Sequence, residues 1–576
     1  MSSHQKKCSP IPSSAQPYDT KEKTGKWRSF KDSFKRYEAF DEEDDEKLKN
    51  LTDIERANIR TANSPLQRKL NSRTITMIAI GSSIGNGLFV ASGSALNAGS
   101  AGGLLVAYGI TGSAIYCTMQ ALGELACEFP VSGGFNLYAS RFWEPSVGFA
   151  VAYNYFIQFL VLSPLELVSC GIVMKYWNKS INADIWILIF YIIVASINLF
   201  GVRFYGETEF VFSSIKVIAV IGFIILSVIL AAGGGPDGQS VGTKYWHDPP
   251  PFATGFKGVA SVFVTAAFSY GGTELVGLAA AEAQNIRTTI PRAIKQVFWR
   301  ILMFYMVSLT LICFLVPSNS DKLLGASSVD VTASPFVIAI ENSGVKGLPH
   351  VMNAVVLISC ISVASTSVYA TSRTLNSLSE QGLCWKFCSY VDRAGRPIVG
   401  IIITNVFSCI AFIAASGKEG VVFDWLLSIS ALSSIASWLT INYCHIRFRR
   451  ALKVQGRSLK DLAFTSRSGV LGSWYALLVN VLVLIAQFWI ALFPTGGKPS
   501  ANNFFLSYLG GVVLLLFYFG HKIWKKNWIF QIKAKDIDID TGRRETDMEA
   551  LRQELEEEKM ILQSKPLYYR AYRFWC

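Results

Sequence analysis

Charge is scarce in this chain. Asp, Glu, Lys and Arg make up 16% of its 576 residues, against roughly 25% in soluble domains. That is too little to clothe the several water-facing domains its length would otherwise suggest. Histidine is rarer still, five in all, and no histidines cluster in an apolar run. No HExxH is present, so metalloprotease chemistry lacks its residues. No GxxxxGK[ST] is present either, so ATP-driven pumping is not supported. An enzyme is not expected. The 11 cysteines form no CxxC pair. Cys384 and Cys388 lie close together, but no histidine cluster completes a metal site. No metal is expected, and the cysteines read as small buried hydrophobes. An early apolar stretch is also missing, so a cleaved signal peptide is not expected at the N-terminus.

Long apolar runs are abundant: 51% of residues are hydrophobic. Runs near 20 residues indicate a polytopic helical membrane protein. Twelve spans are expected, near 74–96, 103–126, 147–173, 184–202, 209–232, 256–281, 297–316, 349–378, 398–416, 421–445, 474–494 and 503–524. The net charge is +13, and the basic residues gather in alternate loops. They follow span 6 (Arg287, Arg292, Lys295, Arg300), span 8 (Lys386, Arg393, Arg396) and span 10 (Arg447 to Arg467). This is the positive-inside pattern, so both termini are expected in the cytoplasm and no nucleic acid is expected as a partner. Residues 1–72 read as a disordered cytosolic tail, 73–524 as the membrane domain and 525–576 as a second cytosolic tail. Asn178-Lys179-Ser180 fits a glycosylation acceptor close to the membrane. The terminal Cys576, behind aromatic and basic residues, is a candidate S-palmitoylation site.

Two of the runs are interrupted at their middles. Span 1 carries Gly81-Ser82-Ser83-Ile84-Gly85-Asn86-Gly87, and span 6 carries Phe268-Ser269-Tyr270-Gly271-Gly272 followed by Thr273 and Glu274. Taken alone, Gly81 and Gly85 also form a GxxxG, a helix-packing pattern. The pair of breaks changes that reading, because a five-plus-five inverted repeat puts its broken helices at those ordinals. Hydrocarbon tolerates unwound backbone only where protein or a wet cavity covers it. Freed N–H groups and a half-helix N-terminus in span 1 suit a carboxylate; freed carbonyls in span 6 suit an ammonium. Together they describe a zwitterionic amino acid. Buried charge marks function in a membrane. Glu274 follows the second break and is placed to gate or relay a proton. Lys216 in span 5 lies behind the first break, where its deprotonation would couple transport to protons. Glu166 follows Pro164 in span 3 and joins them as a candidate. Glu124 reads as structural.

These residues resemble the fungal amino acid permeases of the amino acid–polyamine–organocation superfamily. The likeness is carried by Met77 to Gly93, Ala121 to Phe142, Pro164 to Ser169, Ala267 to Glu282, Pro291 to Ile301, Ala534 to Arg544 and the closing Phe574-Trp575-Cys576. The resemblance implies an all-α leucine-transporter-like fold, a 5+5 inverted repeat plus two helices, twelve in all. It implies proton-coupled import of L-amino acids across the plasma membrane, with the proton as coupling ion and no other cofactor. By position it makes the span 1 glycines the carboxylate site, Ser269 to Gly272 the ammonium site, Glu274 the gating acid and Lys216 the coupling lysine. The tails are expected to meet the cytosolic trafficking and ubiquitination machinery. Many relatives read GGSIGTG at the first break; Ser82 and Asn86 depart from that, and Asn86 is placed to face a substrate side chain. A neutral, broad substrate range is expected. An amino-acid-sensing receptor with little transport, or a permease selective for basic amino acids or proline, are the alternatives.

Overall fold

A computed structural model describes residues 32–37 and 51–543, apart from 179, 237, 239, 325–333, 346, 417–418 and 495–498, with scattered positions between 553 and 570. Most of the N-terminal tail, much of the C-terminal tail beyond residue 543, and Cys576 lie outside the described residues. Among the described residues the protein is all-α, with two isolated bridges and no sheet.

A short helix α1 (Asp53–Ala62) opens with a capping box between Thr52 and Glu55, which satisfies its first free N–H groups. Helix α2 (Ser72–Gly81) is capped by Asn71. It is followed by α3 (Ser92–Glu128), kinked at Ser100, then α4 (Pro145–Met174), α5 (Ala183–Leu199) and α6 (Val202–Ala231). Next come α7 (Gly255–Tyr270), α8 (Leu275–Ala279), α9 (Ile286–Arg300), α10 (Ser308–Leu315) and α11 (Pro335–Asn342). The chain continues through α12 (Leu348–Glu380), α13 (Ile398–Ser408), α14 (Glu419–Val454), α15 (Gly469–Leu492) and α16 (Ala501–Lys525). Among the described residues, seven helical stretches are long and apolar enough to cross a membrane, and two shorter apolar helices accompany them.

The bundle buries polar side chains within an apolar core and turns a greasy surface outward. Ile218 and Ile225 on α6 and Leu471 and Ile485 on α15 are exposed, whereas Ser269, Glu274, Lys216 and Asn442 are buried. Helix α6 shows why. Its buried residues Val202, Tyr205, Gly206, Glu209, Ser213, Lys216, Val220 and Phe223 recur every three or four positions, which is one face of a helix. From Val211 onward the exposed face is mostly branched aliphatics (Val211, Ile218, Ile221, Ile225, Val228, Ile229), as hydrocarbon contact requires.

The helices overrun several predicted limits. Helix α6 begins at Val202, which draws Glu209 inside. Helix α9 begins at Ile286, so Arg287, Arg292, Lys295 and Arg300 are helical rather than loop residues. Arg300 is fully buried and donates to the carbonyl of Ala79 on α2; burial against a half-helix end took it out of the expected basic loop. Helix α14 likewise extends through Arg447, Arg449 and Arg450. Arg449 Nη2 meets Glu124 Oε2 at 2.7 Å, and Ser466 N–H donates to the same oxygen at 2.7 Å. Glu124 is thus held by structure, as expected. Asn178 Oδ1 accepts from Ser180 N–H and Oγ, an Asx turn.

Beyond α16 the chain folds back as a strap. Ile537 and Ile539 are buried. Asp538 pairs with buried Arg141 at 3.0 Å and accepts from Asn58 at 3.0 Å, while Arg543 pairs with Glu128 at 2.9 Å. Burial pushes the Asp538 carboxyl up, but the Arg141 guanidinium and the N–H groups of Thr541 and Asp540 outweigh it and hold it down at about 2. A depressed pKa stabilises the strap above the free aspartate value near 4, by about 2 kcal/mol, and that is lost as pH falls through about 2. Asp538→Asn is therefore expected to speed amide hydrogen exchange across 531–543 at neutral pH. Unchanged protection there would refute the role of the pair.

Candidate functional site

Both predicted breaks are present. Helix α2 ends at Gly81, Ser82 to Gly85 are non-helical, and the chain resumes as a π-turn at Gly87–Ala91 that runs into α3. Helix α7 ends at Tyr270, and Gly271 to Glu274 open before α8. The two openings touch. Ser82 Oγ donates to the Gly272 carbonyl at 3.0 Å, and Ser269 Oγ lies 2.8 Å from the Gly87 carbonyl. A Cβ on Gly87 would sit 2.4 Å from Ser269 Cα, so only glycine permits this approach.

Unwinding frees carbonyls and N–H groups in equal measure, but their fates differ. Four carbonyls at the first break are occupied: Ala79 by Arg300, Gly81 by Lys216 Nζ at 2.7 Å, Ser83 by Tyr305 Oη at 2.5 Å and Ile84 by Ser359 Oγ at 2.8 Å. The N–H groups of Gly85, Asn86 and Gly87 have no partner among the described residues. A buried backbone with its acceptors capped and its donors open is a site for an anion.

Tyr305 also ties the breaks together, because its hydroxyl lies 2.6 Å from the Ser269 carbonyl as well. Tyr305→Phe removes the one hydroxyl proton that the two carbonyls share, a loss of about 1–3 kcal/mol. Transport is expected to fall about tenfold, measured as initial uptake per molecule at the surface; a rate equal to wild type would discount the tie.

A cavity of about 480 Å³, open mouth included, lies between the breaks. Of the predicted substrate residues, Ser82, Ser83, Gly85, Asn86, Gly87, Phe268, Ser269, Gly271 and Gly272 line it. Gly81 and Ile84 stand behind it with their carbonyls capped. Tyr270 turns away and donates to the Tyr108 carbonyl at 3.1 Å. Glu166 lines the cavity and accepts from Asn86 Nδ2 at 2.8 Å. Asn86 Oδ1 accepts from Cys360 Sγ at 3.3 Å, so the amide is anchored at both ends. Glu274 does not line the cavity. It is buried beneath the second break, accepting from Gly272 N–H at 3.3 Å and Trp438 Nε1 at 3.1 Å.

Sequence reading missed Gln158, Phe159 and Leu162, which form a wall of the cavity on α4. They lie eight, seven and four positions before Glu166, on its face of the helix, and that spacing was the available signal. It also missed Glu209, whose charge is reached from Lys216 through Ser362. The α6 burial stripe contains it.

The amino acid permease family profile matches residues 74–534. The chain is 62% identical over 91% of its length to the amino-acid permease GAP5 of Candida albicans, covering 85% of that protein. It is 52% identical over 96% of its length to the general amino-acid permease GAP1 of Saccharomyces cerevisiae, covering 92% of it. The tryptophan permease of the same yeast is 49% identical over 89% of the chain, with 87% of that protein covered. A family match over most of the chain, on a bundle with two broken helices around one cavity, shows that this protein belongs to the amino acid permease family and is a transporter rather than an enzyme.

Proposed function

We propose that this chain imports L-amino acids across the plasma membrane, coupled to protons, with a broad and mainly neutral range. One observation carries the reading: the N–H groups of Gly85, Asn86 and Gly87 are open while the neighbouring carbonyls are capped. The α-carboxylate takes those donors. The α-ammonium takes the carbonyl end of α7 with the Glu166 carboxylate across the cavity. Relatives named general, histidine and tryptophan permeases are 48–52% identical over most of the chain, which supports an amino-acid backbone site with variable side-chain room. Apolar Phe159 and Leu162 on the wall favour neutral side chains.

In this reading twelve spans form a leucine-transporter-like 5+5 repeat plus two helices, and both tails are cytosolic. The bundle containing the breaks rocks against the scaffold to alternate access. Lys216 couples the cycle to protons, and Glu274 braces the second break as it moves. The tails carry the signals for trafficking and ubiquitination, and Cys576 takes a palmitoyl chain.

The test is uptake of each labelled proteinogenic amino acid into cells lacking their own permeases, at acid and neutral pH. Concentrative uptake of several neutral amino acids, stronger at acid pH, is expected. Uptake of none would overturn the reading, and binding without flux in vesicles would favour a receptor.

A further inference from the structure

One face of α6 carries a line of polar groups that the cavity does not use. Lys216 Nζ lies 2.8 Å from Ser362 Oγ, and Ser362 Oγ lies 2.6 Å from Glu209 Oε1. All three side chains are fully buried. Glu209 and Lys216 are seven residues apart, two helical turns, and so share a face. Ser362 enters between them from α12. Its hydroxyl accepts from the ammonium and donates to the carboxylate, an arrangement through which a proton passes without movement of heavy atoms.

Glu209 is not satisfied as a structural charge would be. Its Oε1 receives Ser362 and, at 3.3 Å, Ser213 Oγ. Its Oε2 is buried with no partner among the described residues. Glu124 shows the contrast, with His445, Arg449 and Ser466 N–H filling both oxygens. A buried acceptor left open is costly, and protonating Glu209 removes that cost. Position adds a direction. Glu166 lines the cavity, Lys216 lies behind the first break, and Glu209 lies beyond it towards the N-terminus of α6. There Gly206 packs against Leu70 and Thr74, on the side of the tails. The other titratable groups facing the pair are Glu166 from α4, Cys360 from α12 and Tyr205 from α6 itself. Helix α2 presents the Gly81 carbonyl, and its one charged side chain, Arg73, is paired with Glu207 at 2.8 Å.

We infer that Glu209 is the inward proton acceptor of the transport cycle, fed from Lys216 through the Ser362 hydroxyl. The inference rests on proton coupling at Lys216 and names the partner such coupling needs. In the step, an ammonium N–H breaks as its proton joins Ser362 Oγ. The original Ser362 O–H breaks and its proton joins Glu209 Oε1. Amine and carboxylic acid result, the hydroxyl is regenerated, and the net charge of the pair is unchanged. Lys216 then holds the Gly81 carbonyl through a neutral N–H of roughly half the strength, and the first break is released to move. The close fit of Gly81 belongs to the same device: a Cβ there would lie 2.2 Å from Glu209 Oε1.

The full-length protein, reconstituted in vesicles with a pH-sensitive dye and a labelled mixture of L-amino acids, provides the test. For one coupled proton, wild-type accumulation rises about tenfold per unit of imposed pH gradient. Glu209→Gln and Ser362→Ala are expected to abolish this slope and the proton flux, so that exchange relative to concentrative uptake rises about tenfold or more. Ser362→Thr, which keeps the hydroxyl, restores the slope. Wild-type slopes in both variants would overturn the inference, as would an equal loss of exchange and accumulation, which marks a structural role. If Glu209→Gln gives no folded protein, Ser362→Ala alone decides. A Lys216→Ala protein that keeps the wild-type slope would instead refute the coupling on which the inference stands.

Discussion

Gly272→Ala is expected to abolish uptake while the chain still inserts and reaches the surface. Gly272 sits at φ +88°, where an L side chain costs about 1–2 kcal/mol. An added Cβ would also lie 2.9 Å from the Ser82 carbonyl oxygen and 3.2 Å from Ser82 Cβ. The atoms it meets are backbone and the base of a side chain, which cannot swing aside. The alanine therefore pushes the second break off the first and removes the Ser82 to Gly272 bond that joins them. Strain and the lost bond together amount to about 3 kcal/mol, or roughly a hundredfold in transport. Gly222→Ala is the matched control, because nothing lies within 4 Å of a Cβ there. Initial uptake rates normalised to surface protein distinguish the two. Near-normal transport by Gly272→Ala would mean that contact between the breaks is not needed.

Arg373→Met is expected to cost more stability than any other single exchange considered. Arg373 on α12 pairs with Glu282, just past α8, at 2.6 Å, with side chains 6% and 1% exposed. The guanidinium lies 3.7 Å over the Tyr369 ring, and Tyr369 Oη lies 3.3 Å from the second Glu282 oxygen. Removing the arginine leaves a buried carboxylate without its cation, at about 3–5 kcal/mol. The pair also joins the segment after the second break to α12, so its loss frees that segment to move. Glu282→Gln in the Arg373→Met background removes the stranded charge and is expected to recover part of the loss. Thermal melting of the purified single and double variants gives the coupling between them. A single variant that melts with wild type, or a double variant that melts below it, would contradict the buried pair.

The breaks were legible because glycine and serine clusters inside apolar runs have few explanations, and two clusters at matching ordinals have fewer. Lys216 and Glu166 were legible because a charge in an apolar run is conspicuous. Glu209 was hidden by its neighbours. Arg203 and Glu207 precede it and make the start of α6 resemble a loop; only the three-and-four spacing of Tyr205, Glu209, Ser213 and Lys216 reveals a buried stripe. Arg300 was hidden for the converse reason. It closes a basic, amphipathic stretch that reads as a membrane-edge loop, yet the helix continues and lays its guanidinium on the Ala79 carbonyl. The strap from Ile532 to Arg543 has no periodicity, and its fit comes from partners hundreds of residues away: Arg141, Glu128 and Asn58.

Local chemistry in the chain itself determined that it is a helical membrane protein, where two of its helices open, and which kind of molecule suits the opening. Those properties depend on transfer of side chains from water and on backbone freedom at glycine, both nearly independent of distant residues. The tertiary structure alone decided which freed carbonyls are capped, leaving N–H groups as the open donors. It also decided that Ser362 bridges Lys216 to Glu209. Those outcomes require side chains from α6, α9 and α12 to converge within hydrogen-bond reach, and sequence spacing does not encode distances between helices.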